Sequence, residues 1–280
     1  LPAALTALKE AAQKAGAEGV TYDDNVAKVS IVGLGMATQT GVAERMFRAL
    51  GEKGINILMI TTSEIKISVL VAREHAHEAL RTVHEAFQLH QPPPVCEAPA
   101  AAVSPPARPN RTAELVAQME CMEELMIEGI TLDQTQARVT VSDLPDQPGL
   151  AAQLFEQIAA AGVVVDMIVQ SVGRDGKADI SFTIPSGSLD QCLATVGKLA
   201  GSLGCPPPTS APQVAKLSVF GVGMKSHTSL SNRMFQALAA AGINVDMIST
   251  SEVRVNVVVD GRHGSKALEA LEKEFADVLV

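Results

Sequence analysis

Residues 216–259 read KLSVFGVGMKSHTSLSNRMFQALAAAGINVDMISTSEVRVNVVV, and residues 28–71 read KVSIVGLGMATQTGVAERMFRALGEKGINILMITTSEIKISVLV. Carried on to Phe275 and Phe87, the two stretches align without a gap, with about 25 of roughly 60 positions identical. The chain therefore repeats itself at long range, and each copy must be a structural unit in its own right. A more distant copy lies between them. It runs ARVTVSDLPDQPGLAAQLFEQIAAAGVVVDMIVQS from Ala137 to Ser171, then ADISFTI from Ala178 to Ile184 and a helix-like run from Leu189 to Leu199.

Each copy resolves into the same elements. Lys28 to Val32, Arg138 to Val141 and Lys216 to Phe220 alternate apolar and polar residues with the period of a strand. A polar loop follows, and then a helical period: Val42, Met46, Phe47 and Leu50 in the first copy, Leu150, Leu154 and Ile158 in the second, Leu230, Met234 and Leu238 in the third. Gly54, Gly162 and Gly242 stand where these helices should end. Second strands are expected over Ile55 to Ile60 and its equivalents, and third strands over Ile65 to Val71, Ala178 to Ile184 and Val253 to Val259. A last helix covers His75 to Phe87, Leu189 to Leu199 or Ser265 to Phe275. The order is βαββα, and the closing strand is expected at Gly19 to Tyr22, Met126 to Leu132 or the tail Asp277 to Val280. A βαββαβ unit folds as a four-stranded antiparallel sheet with both helices on one face, so the fold class is α+β, in tandem ferredoxin-like units paired side by side. Pairing covers the sheet edges and brings loops of two units to one seam, where a small ligand could be held.

Leu1 to Lys14 reads as a helix with Leu5, Leu8 and Ala12 on one face, the position of the last helix of a unit whose beginning is missing. The chain is thus expected to start inside a domain of a longer protein. Gln91 to Ala113 is rich in proline and alanine, the composition of a linker that cannot bury a core.

Composition narrows the function. The chain has 280 residues, 47% hydrophobic and 19% charged, with a net charge of -9 and no long basic run, which argues against a nucleic-acid partner. Aromatic residues total 3%, too few for base stacking or an aromatic cage. Apolar runs fall short of a bilayer span and the amino terminus lacks the pattern of a signal peptide, so a membrane partner is not expected and a cytoplasmic location is. The four cysteines, Cys96, Cys121, Cys192 and Cys205, show no metal or disulfide spacing and read as reduced thiols.

Catalytic signatures are missing from the sequence. GLGM at Gly33 and GVGM at Gly221 lack the third glycine of a dinucleotide fingerprint, since Thr38 and Ser226 take its place. His75 and His77 are two apart and point to different helix faces, so no metal site is expected there. Asp143 and Asp146 could serve as paired carboxylates, but turn and cap roles explain them as well. One pattern does suggest binding. Small residues open each first helix (Thr40-Gly41-Val42, Gln147-Pro148-Gly149, Thr228-Ser229-Leu230), leaving helix amides that favour a carboxylate. Opposite them, the second strands begin at Asn56, Val164 or Asn244 and end in Thr62-Ser63-Glu64, Gln170-Ser171 or Thr250-Ser251-Glu252. Amides for a carboxylate and acidic or amide groups for an ammonium are what an α-amino acid requires; turn and cap residues alone are the plainer alternative.

The DQPG loop, the IN-x-x-M-I-[ST]-T-S-E strand and GxGM together resemble the ACT domains at the carboxyl end of aspartate kinases. On that resemblance the chain divides into a remnant of a truncated ACT domain (1–24), an ACT domain (25–90), a linker (91–113) and two further ACT domains (114–212 and 213–280). The resemblance implies an allosteric region that binds lysine, threonine or both at seams between ACT domains. Bound effector would shift the attached kinase domain toward a less active state, with homodimerisation through ACT domains. By motif, Asp146, Pro148, Gly149 and Ala151 would form the effector loop of the middle unit, faced by Asp166 and Gln170. Ser229, Leu230, Asn244, Val245, Asp246, Ser251 and Glu252 correspond in the last unit, and Gly41, Val42, Asn56, Ile57, Ser63 and Glu64 in the first. Leu58 stands where the others have Asp166 and Asp246, so the first unit is expected to lack an ammonium partner. No KFGG-type kinase signature is present, so ATP and Mg are expected only for a catalytic domain outside this chain, and the chain itself carries no expected cofactor. A stand-alone amino-acid sensor and a structural dimerisation module are the other readings.

Overall fold

The computed structural model describes residues 1–33, 41–63, 65–91, 126–171, 176–222, 224, 229–251 and 253–279. The expected linker from 92 to 113 lies outside them, as do Cys96, Cys121, Glu64 and Glu252.

The repeats fold as the periodicities require. The first unit comprises β1 (Val26–Val32), α2 (Val42–Glu52), β2 (Met59–Ser63), β3 (Lys66–Ala72) and α3 (Ala76–Ala86), after an amino-terminal helix α1 (Pro2–Ala15) that buries none of its residues. The second comprises β4 (Met126–Pro145), α4 (Leu150–Ala160), β5 (Ile168–Ser171), β6 (Lys177–Pro185) and α5 (Leu189–Ser202). The third comprises β7 (Thr209–Val222), α6 (Ser229–Ala240), β8 (Met247–Thr250), β9 (Arg254–Asp260) and α7 (Gly264–Glu274). All named strands join one nine-stranded antiparallel sheet in the order β1-β3-β2-β5-β6-β4-β7-β9-β8.

Two expectations need correction. The second strands begin later than Ile55 and its equivalents, because only from Met59, Ile168 and Met247 do they enter the ladders. Gly19 to Tyr22 forms no strand. β4 and β7 each serve two units. The stretch of β4 from Ile127 to Asp133 pairs with β7 at Lys216 to Gly221 and closes the third sheet, whereas Gln136 to Thr140 pairs with Thr209 to Val214 in the second. Where β4 passes from one sheet to the other, Asp133 holds the irregularity, its Oδ1 accepting from the backbone N–H of Thr135 at 2.8 Å and its Oδ2 from Gln136 Nε2 at 3.3 Å. The tail adds a bridge between Leu279 and Ile127.

The cores show how the units associate. First and second units share one core, in which α2 and α4 pack across the seam and Phe47 lies 5.5 Å from Phe155 between ring centres. A second core lies under the third sheet, around Leu217, Met234 and Phe275. A small third cluster of Met167, Val214, Met247 and Val258 joins the outer sheet faces of the second and third units, and burying side chains of this size is worth ~1.5–3 kcal/mol each.

Candidate functional site

The seam between the first and second units is built around β2 and β5. Their antiparallel register pairs Thr61 with Val169, the same position in the two repeats, so a local two-fold axis relates the units. Two grooves result, one on each side of the axis.

The first groove joins the loop of the second unit to the strand approach of the first. Asp146, Gln147, Gly149, Leu150 and Ala151 line one wall, Asn56 and Ile57 the other, with Gln170 between them and Phe47, Leu144 and Ile180 beneath, around about 360 Å³ of open space. Gly149 precedes α4 with φ of 88°, a left-handed conformation that only glycine adopts cheaply, and Gly149, Leu150 and Ala151 at the start of the helix line the groove. Asn56 Nδ2 donates to Asp146 Oδ1 at 2.8 Å, fixing the loop acid across the seam. Gln170 is buried and its Nε2 donates to the carbonyl of Ile57 at 2.9 Å. That bond orients the amide, leaving Gln170 Oε1 buried with no hydrogen-bond partner. A buried acceptor without a donor is costly, by about 1–3 kcal/mol.

The second groove is the symmetry-related one, with about 530 Å³ of open space lined by Gly41, Glu44, Thr62, Ser63, Phe155, Ile158, Val165 and Asp166. It is chemically different. Thr62 stands in the place of Gln170 and is already engaged, its Oγ1 accepting from the Ile168 N–H at 2.8 Å. Glu44 stands where the first groove has Ala152, and lies near Arg48 Nε at 3.2 Å.

The site residues read from the sequence therefore separate. Asp146, Gly149, Ala151, Gln170, Asn56 and Ile57 meet in the first groove; Gly41 and Ser63 meet in the second, while Val42 packs on the core. Pro148 is exposed beside the first groove and does not line it. Asp166 does not face the loop of its own unit: it lies in the second groove, ion-paired with Lys216 of the third unit. Asp246 is likewise bound, with Arg138 Nη1 at 3.1 Å from its Oδ2. Ser229 opens α6, Leu230 is buried in the second core, under the third sheet, Val245 packs against that core, Asn244 donates to Asp246, and Ser251 turns its hydroxyl to the Arg254 carbonyl. Glu44 was missed, and Thr62, read from the sequence only as part of the polar strand end, is the repeat equivalent of Gln170. Asp143 has no part in either groove and sits 3.7 Å from Lys177. Among the described residues there is no cluster able to hold a metal ion, and no helix long and apolar enough to cross a membrane.

Comparison with known proteins agrees with this architecture. A family model described as ACT domain matches residues 29–87, 139–198 and 217–275. The chain belongs to the ACT-domain family. Its curated relatives include the aspartate kinase Ask_LysC of Stutzerimonas stutzeri and an aspartokinase of Helicobacter pylori, each 39% identical over 156 residues, 56% of this chain and 38% of the relative. The ACT chain thus spans well under half the length of those relatives. Among solved structures, the aspartate kinase from Synechocystis matches 96% of this chain and 44% of its own, at 31% identity and a TM-score of 0.77. The ligand-free regulatory subunit of aspartate kinase from Thermus thermophilus matches 53% of this chain and 98% of its own, at 34% identity and a TM-score of 0.50. These ACT units are of the aspartate kinase regulatory type, which supports an allosteric regulatory role.

Proposed function

We propose that the chain is the effector-sensing region of an aspartate kinase and that the groove at Asp146 binds an α-amino acid end product, lysine or threonine. The observation that carries this reading is the buried, partnerless Oε1 of Gln170, on β5, in the groove lined by the start of α4. An α-carboxylate would lie against the first amides of α4, and an α-ammonium would give Gln170 Oε1 its donor while Asp146 supplies the opposite charge. Both walls come from different units, so a ligand held there favours the closed seam over any arrangement that parts them. An effector acts only through such a preference, since equal affinity for two states shifts neither. The attached kinase domain would be held in its less active state by the closed seam.

The test is calorimetric titration of the chain with lysine, threonine and methionine, separately and together. Saturable binding of lysine or threonine that is lost in Asp146→Ala supports the proposal. Binding by none of the three would remove it in favour of a structural seam.

A further inference from the structure

Thr62 is bonded to both of the other units. Its hydroxyl accepts from the N–H of Ile168 in the second unit at 2.8 Å, and its carbonyl accepts from the hydroxyl of Ser249 in the third at 2.5 Å. Thr62 is 5% exposed and Ser249 2%, so water competes poorly for either bond. The third unit is in turn fixed to the second. Strand β7 leaves the second sheet at Val214 and enters the third at Lys216, whose ammonium pairs with Asp166, while Arg138 pairs with Asp246 in the opposite sense. On β8, Met247 clusters with Met167 of the second unit, two residues from the serine that holds the first. The contacts close a triangle: first unit to second at Thr62 and Ile168, second to third at Asp166 and Lys216, third to first at Ser249 and Thr62.

The triangle lies on one side of the local axis. Thr62, Asp166 and Ile168 all line the second groove. In the first groove, the equivalent of Thr62 is Gln170, whose amide is spent on Ile57 within the seam, and the equivalent of Asp166 is Leu58, which has no charge to offer Lys216 or any other cation. Among the described residues, none that lines the first groove is bonded to the third unit. Ser249 is the repeat equivalent of Thr61 and Val169, the pair at the axis, yet its hydroxyl goes to the residue after Thr61 and so to the second-groove side.

We infer that the third unit is a strap across the seam, anchored on the second unit and gripping the first at Thr62, and that it holds the two together on the second-groove side. Parting the seam moves Thr62 away from Ile168. The third unit cannot follow both halves, so either the Ser249 bond or the Lys216 pair must break in the same event. Opening therefore costs a contact that the first and second units do not make with each other. Ser249 and Lys216 are positioning residues for the seam, acting from outside it, and the strap acts whether or not either groove holds a ligand. The first groove lies beyond its reach, with walls held by two units alone.

The amide of Ile168 reports on the seam, because its acceptor belongs to the other unit. The experiment is site-resolved hydrogen exchange on the folded 280-residue chain, comparing wild type with Ser249→Ala and with Lys216→Met. Neither substitution removes an atom of the Thr62–Ile168 bond. Loss of the strap should speed exchange at Ile168 about threefold to tenfold in each variant, the worth of one hydrogen bond, while amides inside α2 and α4 change by less than about twofold. Unchanged exchange at Ile168 in either variant overturns the inference, since the third unit would then rest on the seam without holding it. Equal acceleration at Ile168 and throughout α2 and α4 overturns it too, because the seam would then open only when the whole chain unfolds. Lys216→Arg keeps the charge and should return Ile168 to slow exchange; exchange as fast as in Lys216→Met would overturn the part given to the Asp166 pair.

Discussion

Asp166 of the second unit is ion-paired with Lys216 of the third, and Arg138 and Asp246 make the same contact in the opposite sense. The sequence places these acids where an ammonium ligand would be sought, yet the structure uses them to lock two sheets together. All four side chains are partly buried, so removing one partner leaves a charge in a poorly solvated place. Asp166→Ala is expected to cost about 1–2 kcal/mol, between the value of an exposed pair and that of a fully buried one. Urea denaturation of the single and double variants with Lys216→Ala checks this; additive losses would show that the two residues are not coupled.

Gln170→Leu keeps the volume of the side chain but removes both the donor to Ile57 and the free acceptor. If the groove holds an amino-acid ammonium there, affinity should fall about tenfold to a hundredfold, the worth of one hydrogen bond to a charged group. Calorimetry on the folded variant reads it directly. Unchanged affinity would move the ammonium to Asp146 alone.

The helices at the seam leave no room for a methyl group at Gly51. A Cβ there would stand 2.8 Å from the Cα of Gly149, whose own left-handed turn is needed at the groove. Gly51→Ala should therefore cost about 1–3 kcal/mol and push the loop outward. Gly149→Ala should cost about 1–2 kcal/mol through backbone strain with no clash. Thermal melts would separate the two if only Gly51→Ala also alters the exchange of amides along β2 and β5.

Burial by itself would raise the pKa of Asp133, but hydrogen bonds from Thr135 and Gln136 and the field of Lys216 outweigh it and hold the carboxyl below its ordinary value. A folded-state value below the unfolded one means stability that is present above the ordinary carboxylate range and is lost as pH falls through it. The wild type should therefore lose more stability than Asp133→Asn between pH 5 and about pH 3. Parallel losses in the two proteins would assign the acid sensitivity elsewhere.

Much of this was legible in the sequence because the repeats carry their own register. The periodicities of Lys28 to Val32 and of Val42 to Leu50 gave the right elements, since each reports which face is buried. The groove residues Asn56, Asp146, Gly149 and Gln170 were also found from motif and turn chemistry. The grouping was not legible. Which unit faces Asp166 depends on how two sheets stack, and no local pattern records that Lys216 lies fifty residues away in sequence but adjacent in space. The sharing of β4 and β7 was hidden for a similar reason: a twenty-residue strand has the same alternation whether it serves one sheet or two.

That long strand has a mechanical consequence. β4 begins beside the tail of the third unit and ends at Pro145, one residue before the acid that closes the groove on the second. The ladders on β4 break register between Val141 and Leu144 and again beyond Asp133, so a displacement of Asp146 meets two joints before it reaches the part of the strand that belongs to the third sheet. The joint at Asp133 is the one at which the strand leaves the third sheet for the second.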